Sequence, residues 1–180
     1  MNLADRTDEN SPSRSGMSAN SAAHDFELRQ AESPEEMVFV RELFLEYANS
    51  LGFSLCFQGF DHELASLPGD YAPPRGRLLF ARHHEGVAAG CIALHPLEDG
   101  ICEMKRLYVR PQFRGRGLGK RLAEHIIREA RALGYQQLRL DTVEPAMREA
   151  VGMYRKMGFR EVAPYRPNPI EGALYMELTL

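Results

Sequence analysis

Apolar residues recur along the chain with two spacings, one typical of β-strands and one typical of α-helices. Short apolar or alternating runs between turn residues predict strands at Phe26–Gln30, Arg77–His83, Val87–Leu97, Ile101–Val109, Gln137–Val143, Phe159–Ala163 and Ala173–Leu180. Helical spacing predicts helices after the first, fourth and fifth of these strands. The resulting order, β-α-β-β-β-α-β-α-β-β, is typical of a mixed α/β domain in which helices cover a sheet.

The predicted helices have recognisable ends. Ser33 suits the N-cap of the first helix, with Pro34 in the first turn and Glu36 placed to complete a capping box. The other helices are predicted at Gly117–Leu133 and Pro145–Met157, and a glycine follows each of them.

Two connections complete the pattern. Residues 53–76 are mixed and proline-containing, which predicts a helical turn followed by a loop. Short turns at Glu85-Gly86 and Asp99-Gly100 join the second, third and fourth strands, so these strands should form an antiparallel meander.

Composition separates a tail from one folded domain. Residues 1–24 are rich in Ser and Asn and contain no aromatic residue, so they cannot bury enough apolar surface to offset the entropy of ordering. We expect a disordered tail at residues 1–24 and one domain at residues 25–180, with translation starting at either Met1 or Met17. Hydrophobic residues make up 44% of the 180-residue chain, which suffices for a real core.

Three further features of the sequence predict a cytoplasmic protein. The three cysteines form no CxxC pair and are odd in number, which argues against a disulfide framework and favours a reducing compartment. Acidic residues Asp5, Asp8 and Glu9 stand where a secretory signal needs positive charge. No apolar run approaches the roughly 20 residues of a membrane span, so we expect no membrane partner.

The segment Arg114–Lys120 carries the strongest chemical signal in the chain. Three glycines at alternate positions leave the backbone N–H groups with little side-chain cover, and a helix pattern begins directly afterwards. Bare N–H groups, the positive end of a helix dipole and basic side chains together predict a phosphate site. Between Lys105 and Arg121 the chain has seven basic residues without an acidic neighbour: Lys105, Arg106, Arg110, Arg114, Arg116, Lys120 and Arg121. Because the whole chain has a net charge of −3, a small charged ligand suits this segment better than a nucleic acid.

Two common glycine motifs do not fit this segment. A dinucleotide fingerprint starting at Gly115 needs a glycine where the chain has Lys120. A P-loop would need a glycine in place of Arg114 and a hydroxyl in place of Arg121. The segment therefore predicts neither a nicotinamide site nor a nucleoside triphosphate site.

The spacing Arg114-x-x-Gly117-x-Gly119, between a strand and a helix, resembles the signature [Q/R]-x-x-G-x-[G/A] of the GNAT superfamily of acyl-CoA-dependent N-acyltransferases. The run Leu107–Pro111 is similar to the strand and turn that precede this signature. The run Ala150–Phe159, with a tyrosine and a glycine at matching positions, is similar to the last helix of the family and its following strand. Two separated motifs at the expected distance make the resemblance specific.

The resemblance spans residues 26–180 and implies a central, largely antiparallel sheet of about six to seven strands flanked by helices. It also implies acetyl-CoA as co-substrate, with its pyrophosphate on the Arg114–Lys120 backbone. The pantetheine arm would pair with exposed backbone at Leu107 and Val109, like an added strand. The residues expected to contact acetyl-CoA are Leu107, Tyr108, Val109, Arg114, Gly115, Arg116, Gly117, Leu118, Gly119 and Lys120.

The same resemblance suggests two catalytic residues. Tyr154 occupies the position of a general-acid tyrosine that would protonate the leaving thiolate, although it also lies on the apolar stripe of its helix and suits a core position. Glu103 lies on the strand that should flank the thioester and is the candidate base. The alternative for Glu103 is an exposed glutamate paired with Lys105, two residues along the same face.

Other features leave alternatives open. Asp141 and Glu144 could hold a cationic substrate, or Glu144 could start the next helix. Met147 stands where many family members carry an asparagine, which puts one cofactor contact in doubt. The proline-rich loops Tyr165–Pro169 and Tyr71–Pro74 suit either an acceptor site or ordinary turns.

No metal site is predicted. Cys91, His95 and Cys102 lie on adjacent predicted strands, but their irregular spacing is more typical of packing residues than of metal ligands.

The sequence therefore predicts an acetyl-CoA-dependent N-acetyltransferase that acts by direct attack of a primary amine of a small molecule. Protein or peptide acceptors, and a non-catalytic acyl-CoA-binding module, are the alternatives. We expect no nucleic-acid partner, and either a monomer or a homodimer.

Overall fold

A sheet of seven strands crosses residues 25–180, the part of the chain that the computed structural model describes. The predicted tail at residues 1–24 and the alternative start at Met17 lie outside the described residues. The strands are β1 (Phe26–Gln30), β2 (Arg77–His83), β3 (Ala88–Glu98), β4 (Ile101–Val109), β5 (Gln137–Val143), β6 (Arg160–Glu161) and β7 (Ala173–Thr179). Their order in the sheet is β1-β2-β3-β4-β5-β7-β6. All neighbours are antiparallel except β4 and β5, which are parallel.

Helices cover both faces of this sheet. They are α1 (Pro34–Ser50), α2 (Phe60–Ser66), α3 (Leu118–Ala132) and α4 (Arg148–Lys156). Buried residues of α1 and α2 pack in one core with β2 and β3, whereas α3 and α4 pack in a second core on the opposite face. The predicted mixed α/β class, with a largely antiparallel sheet flanked by helices, is confirmed.

Most element boundaries follow the local signals in the sequence. Strands β1, β2, β4 and β5 have the predicted bounds, and the capping box joins Ser33 and Glu36 as expected. Helix α4 begins at Arg148 rather than Pro145, because the N–H groups of Ala146 and Met147 bond to the carbonyl of Val143 and form a turn. The predicted helical turn within residues 53–76 is a short helix, α2, between two single 3₁₀ turns.

An irregularity in β4 shapes the functional part of the molecule. Cys91 of β3 faces Tyr108, but Ala93 faces Lys105, so β4 contains one extra residue at this point. Arg106 accommodates the bulge with a left-handed φ of 58°. The extra residue shifts the alternation of side chains between the two faces of the strand. Side chains that would share a face in a regular strand therefore point to opposite faces before and after Arg106.

The parallel pairing of β4 with β5 is short. It joins only Ile101, Cys102 and Glu103 to Gln137, Leu138 and Arg139. Beyond Glu103 the two strands have no backbone pairing among the described residues, so they diverge. A cleft opens between their carboxyl ends, which is where ligands bind in many α/β sheets.

Substitutions at two glycines test how closely β3 must approach the end of β4. A Cβ atom on Gly90 would lie 2.5 Å from the carbonyl oxygen of Tyr108 and 3.3 Å from Cα of Val109, whereas one on Gly152 in α4 would meet nothing within 4 Å. We expect Gly90→Ala to lower the free energy of unfolding by about 1–3 kcal/mol through overpacking. Gly152→Ala should raise it by about 0.5–1 kcal/mol, because alanine favours the helix. Urea denaturation of both variants measures the two effects, and equal signs would contradict the close approach.

Candidate active site

The cleft between β4 and β5 has a volume of about 730 Å³. Its walls come from the end of α1 and the loop after it, from the second half of β4, from the turn before α3, and from the start of α4. It is large enough for a cofactor-sized ligand.

The turn before α3, Arg114–Gly117, leads into an uncapped helix. Gly115 and Gly117 both have φ of 74°, a left-handed conformation that glycine adopts without strain. Gly117 is the N-cap of α3 and supplies no capping side chain. Among residues 25–180, no backbone carbonyl or side chain accepts a hydrogen bond from the N–H groups of residues 115–120. These donors and the helix dipole therefore suit an anion such as a pyrophosphate.

The basic segment that surrounds this turn is less uniform than its sequence suggests. The Arg110 guanidinium donates to both carboxylate oxygens of Glu46 at 2.7–3.1 Å, and Arg106 pairs with Glu63. Arg114 and Arg116 form no ion pair with any described residue. The prediction that the seven basic residues form one charged patch is therefore wrong, because tertiary contacts neutralise some of these charges.

The free edge of β4 forms the next wall. Leu107, Tyr108 and Val109 all line the cleft, and β5 does not pair with this part of the strand. The Val109 carbonyl accepts a hydrogen bond from the Arg114 side chain at 2.9 Å, which ties the strand to the turn. An unpaired strand edge is suited to binding an extended chain of amide groups.

Tyr154 lines the opposite wall, on α4. Its side chain is 6% exposed and packs against Phe159 at 5.6 Å between ring centroids. The hydroxyl makes no hydrogen bond to another described residue and is not among the fully enclosed unpartnered atoms, so it faces the cleft. Burial raises the pKa of Tyr154, and the Tyr47 side chain raises it further. The phenol therefore stays protonated, and it is both a core residue and a potential proton donor.

The environment of Glu103 differs from the exposed position beside Lys105 that was the alternative to a base role. It is 0% exposed, and it does not pair with Lys105. Its carboxylate accepts hydrogen bonds from the Tyr165 hydroxyl at 2.7 Å and from Arg166 at 3.0 Å, and it contacts His95 Nε2 at 2.8 Å. The exposed-glutamate interpretation is therefore wrong. Glu103 is also not among the residues that line the cleft.

The charge of Glu103 is stabilised by these partners. Burial raises the pKa of this carboxyl, but the hydrogen bond from His95 and the nearby positive charges of Lys105 and Arg166 outweigh burial and lower it overall. Glu103 is thus an ionised group that holds the loop containing Tyr165 and Arg166 against the sheet.

Asp141 organises the other side of the same loop. It lines the cleft and accepts hydrogen bonds from Gln58 at 3.1 Å, from Asn168 at 3.0 Å and from Arg166. Its charge is therefore already matched inside the protein. Glu144 instead pairs with Arg155 at 3.0 Å near the surface, and it does not start α4.

The two proline-rich loops have different positions. Asn168 of Tyr165–Pro169 lines the cleft. Tyr71 of the other loop is buried and donates to Glu63 at 2.6 Å, and no residue of Tyr71–Pro74 lines the cleft. Met147 is the N-cap position of α4 and accepts a contact from the Thr142 hydroxyl at 3.1 Å, where the family often has an asparagine.

Sequence reasoning missed several cleft residues. Lys105 was counted among the basic residues near the phosphate segment and considered as a partner of Glu103, but it lines the cleft itself. Tyr47, Phe53 and Phe57, from α1 and the loop after it, also line it. Lys105 stands between two buried residues of a central strand, a signal that could have identified it. The aromatic residues carried no such signal, because helical spacing explains Tyr47 and the loop has no motif.

The cysteines of the sheet lie apart from one another. Cys91 and Cys102 pack in the two opposite cores, and within residues 25–180 no group of three His, Cys, Asp or Glu side chains could hold a metal ion. None of the helices described here has both the length and the apolar character needed to cross a bilayer.

Comparisons with known proteins identify the class to which this architecture belongs. The sequence model of the Acetyltransferase (GNAT) family matches residues 28–159. An uncharacterised N-acetyltransferase from Schizosaccharomyces pombe is 43% identical over 148 residues, which cover 82% of this chain and 90% of that protein. An IAA acetyltransferase from Azospirillum brasilense is 42% identical over 114 residues, covering 61% of this chain and 71% of that protein.

A solved structure shares the fold. The phosphinothricin acetyltransferase of the GNAT superfamily from Sinorhizobium meliloti, crystallised in complex with AcCoA, has a TM-score of 0.64 and 17% identity, covering 87% of this chain and 89% of that one. The family match over most of the domain and the similarity to the Schizosaccharomyces pombe protein show that the chain belongs to the GNAT family of acetyltransferases. The protein is therefore an acyltransferase enzyme, and the family uses acetyl-CoA.

The structural role of Glu103 predicts a particular pH dependence. Because its pKa in the folded protein lies below the ordinary 4.5, ionised Glu103 contributes stability above pH 4.5 that is lost as the pH falls through the lowered value. We expect Glu103→Gln to reduce the free energy of unfolding by roughly 3–5 kcal/mol at neutral pH, and by less in acid. Denaturant titrations at several pH values measure this difference.

Glu144→Gln is the matched control, since the Glu144–Arg155 pair is largely exposed. It should change the free energy of unfolding by less than about 1 kcal/mol. A Glu103→Gln effect that is small, or that is independent of pH, would contradict the buried carboxylate network.

Proposed function

We propose that the protein transfers an acetyl group from acetyl-CoA to a primary amine of a small molecule by direct attack. The observation that carries this proposal is that one cleft combines the unsatisfied N–H groups before α3, the free edge of β4 and the hydroxyl of Tyr154. Each of these features suits a different part of the reaction.

The residues present suit acetyl-CoA, the acetyl donor. Backbone N–H groups of residues 115–120 would hold the pyrophosphate. Arg114 and Lys120, which line the cleft, and the exposed Arg116, which does not line it, would add positive charge. Backbone groups of Leu107 and Val109 would bind the pantetheine amides, and Tyr108 lies between them on the same strand. When bound, acetyl-CoA supplies a thioester carbonyl that is activated toward amines.

Tyr154 supplies the proton that the departing sulfur needs. Its raised pKa keeps the proton on the phenol until negative charge develops nearby. Backbone N–H groups at the free edge near Val109 would stabilise the oxyanion that forms when the amine attacks.

The role of Glu103 as base has less geometric support than that of Tyr154. Its oxygens are held by Tyr165, Arg166 and His95, so a proton from the amine would reach it through one of these partners. The predicted base role therefore depends on the family resemblance, whereas the contacts of Glu103 support a positioning role.

The walls of the cleft favour a small acceptor. Aromatic side chains of Tyr47, Phe53 and Phe57 line one side, and Asn168 of the last loop lines another. An IAA acetyltransferase and a phosphinothricin acetyltransferase, which are similar to this chain, are named after small molecules. These names agree with a small acceptor.

Replacing Tyr154 tests the catalytic proposal. We expect Tyr154→Phe to lower kcat by roughly 10²- to 10⁴-fold while the Kd for acetyl-CoA changes little, because only the proton donor is lost. Release of the free CoA thiol, measured with a panel of amines, gives kcat. Tyr135→Phe is the matched control, since the Tyr135 hydroxyl bonds to the carbonyl of Arg75 and does not line the cleft. Tight acetyl-CoA binding without turnover of any amine would instead favour a non-catalytic acyl-CoA-binding module.

Replacing Gly117 tests the donor site. Gly117 and Gly134 both have left-handed φ values, 74° and 82°, and a Cβ atom on either would meet nothing within 4 Å. An alanine at either position should cost about 1–2 kcal/mol of backbone strain. Only Gly117→Ala should also weaken acetyl-CoA binding, by roughly tenfold or more, because relief of the strain turns N–H donors away from the pyrophosphate. Isothermal titration calorimetry compares the two variants, and equal affinities would contradict this site.

A further inference from the structure

Lys105 is an unmatched charge at one end of the cleft, which we call the acceptor end and define by Gln58, Lys105, Asp141 and Asn168. All four residues line the cleft, and hydrogen bonds to Asp141 connect Gln58 and Asn168. Lys105 lies on β4 directly before the bulge at Arg106. Its side chain is half-buried.

The other polar groups of the acceptor end are already satisfied within the protein. Arg106 donates to Glu63 at 2.9 Å and to Gln58 at 2.9 Å, and Asp141 accepts from Arg166. The Asn168 side chain donates to Asp141 and accepts from the backbone N–H of Ile170 at 3.0 Å. Each of these groups is thus engaged with another group of the protein, and the charges of Arg106 and Asp141 are paired.

Lys105 differs from all of them. Its ammonium makes no hydrogen bond and no ion pair within 4 Å to any residue between 25 and 180. Burial and, after it, the neighbouring charge of Arg106 lower the pKa of Lys105 to about 8, although Glu103 and Glu63 act to raise it. The group still carries its proton at neutral pH, so a partly desolvated cation faces the cleft without a counter-ion.

Apolar side chains also line the cleft. The rings of Phe53 and Phe57 and the side chain of Leu51 are half-buried and line the same cleft. They come from the loop that joins α1 to the turn at Gln58. A ligand that fills this end would bury apolar surface against these side chains and place an anion on Lys105.

We propose that the acceptor is an amino acid with an apolar or aromatic side chain, and that Lys105 binds its carboxylate. The inference rests on the proposed N-acetyltransferase function and specifies its acceptor class. The carboxylate supplies the missing counter-ion of Lys105, the side chain packs on Phe53 and Phe57, and the amine is left free to face the thioester. Lys105 is in this account a specificity-determining residue.

Three acceptors that differ in one group test the proposal: L-phenylalanine, L-phenylalaninamide, which lacks the negative charge, and phenethylamine, which lacks the carboxyl group. CoA thiol release gives kcat/KM for each acceptor with the wild type, Lys105→Met and Lys105→Arg. We expect Lys105→Met to lower kcat/KM for phenylalanine by roughly 10- to 100-fold, mainly through KM, and to affect the other two acceptors much less. Lys105→Arg should restore part of the loss. Comparing variant with wild type for each acceptor cancels the different basicities of the three amines.

Several outcomes would overturn the inference. Equal loss for all three acceptors would assign Lys105 to the amine or to the chemistry itself, and acetylation of Lys105 detected by mass spectrometry would make it an acceptor rather than an anchor. If the wild type prefers phenethylamine, the acceptor needs no carboxylate and this inference fails, while the proposed N-acetyltransferase function stands. Acetyl-CoA binding by each variant, measured by calorimetry, shows that the variant is folded. If the wild type binds acetyl-CoA but acetylates no amine of any class, the proposed function fails together with the inference.

Discussion

The divergence of β4 from β5 is the constraint on which the functional part of this structure depends. Three residue pairs join the two strands, and beyond Glu103 the bulge at Arg106 turns β4 away. Arg106 is 4% exposed and is held by Glu63, so breaking this buried pair would cost about 3–5 kcal/mol. The bulge is therefore held in place, and the free strand edge and the cleft beside it follow from it.

Polar groups near the cleft are of two kinds, and their hydrogen-bond partners distinguish them. Glu103 and Asp141 accept hydrogen bonds from the loop that carries Arg166, so they hold this loop in place. Lys105 and the N–H groups before α3 lack such partners among the described residues. Folding thus leaves these donors unsatisfied in the walls of one cleft, where they are available to a ligand.

Much of the fold and the glycine turn before α3 could be predicted because their signals are local. Capping residues, alternating apolar positions and turn glycines act within a few residues of where they stand, which is why Ser33 and strands β1, β2, β4 and β5 were predicted correctly. The start of α4 was wrong by three residues, because a turn bonded to Val143 competes with the helix at Pro145. The family itself was predicted from the spacing of Arg114, Gly117 and Gly119 with the Tyr154 helix.

The sequence by itself therefore determined the elements, the glycine turn before α3 and the acetyltransferase family. Only the tertiary structure decided which charges remain available, because Arg106, Arg110 and Glu103 find partners at least eight residues away in the chain. A list of basic and acidic residues cannot distinguish a matched charge from an unmatched one, since the energy of an ion depends on the groups packed around it. The acceptor end, with its single unmatched Lys105, follows from that packing.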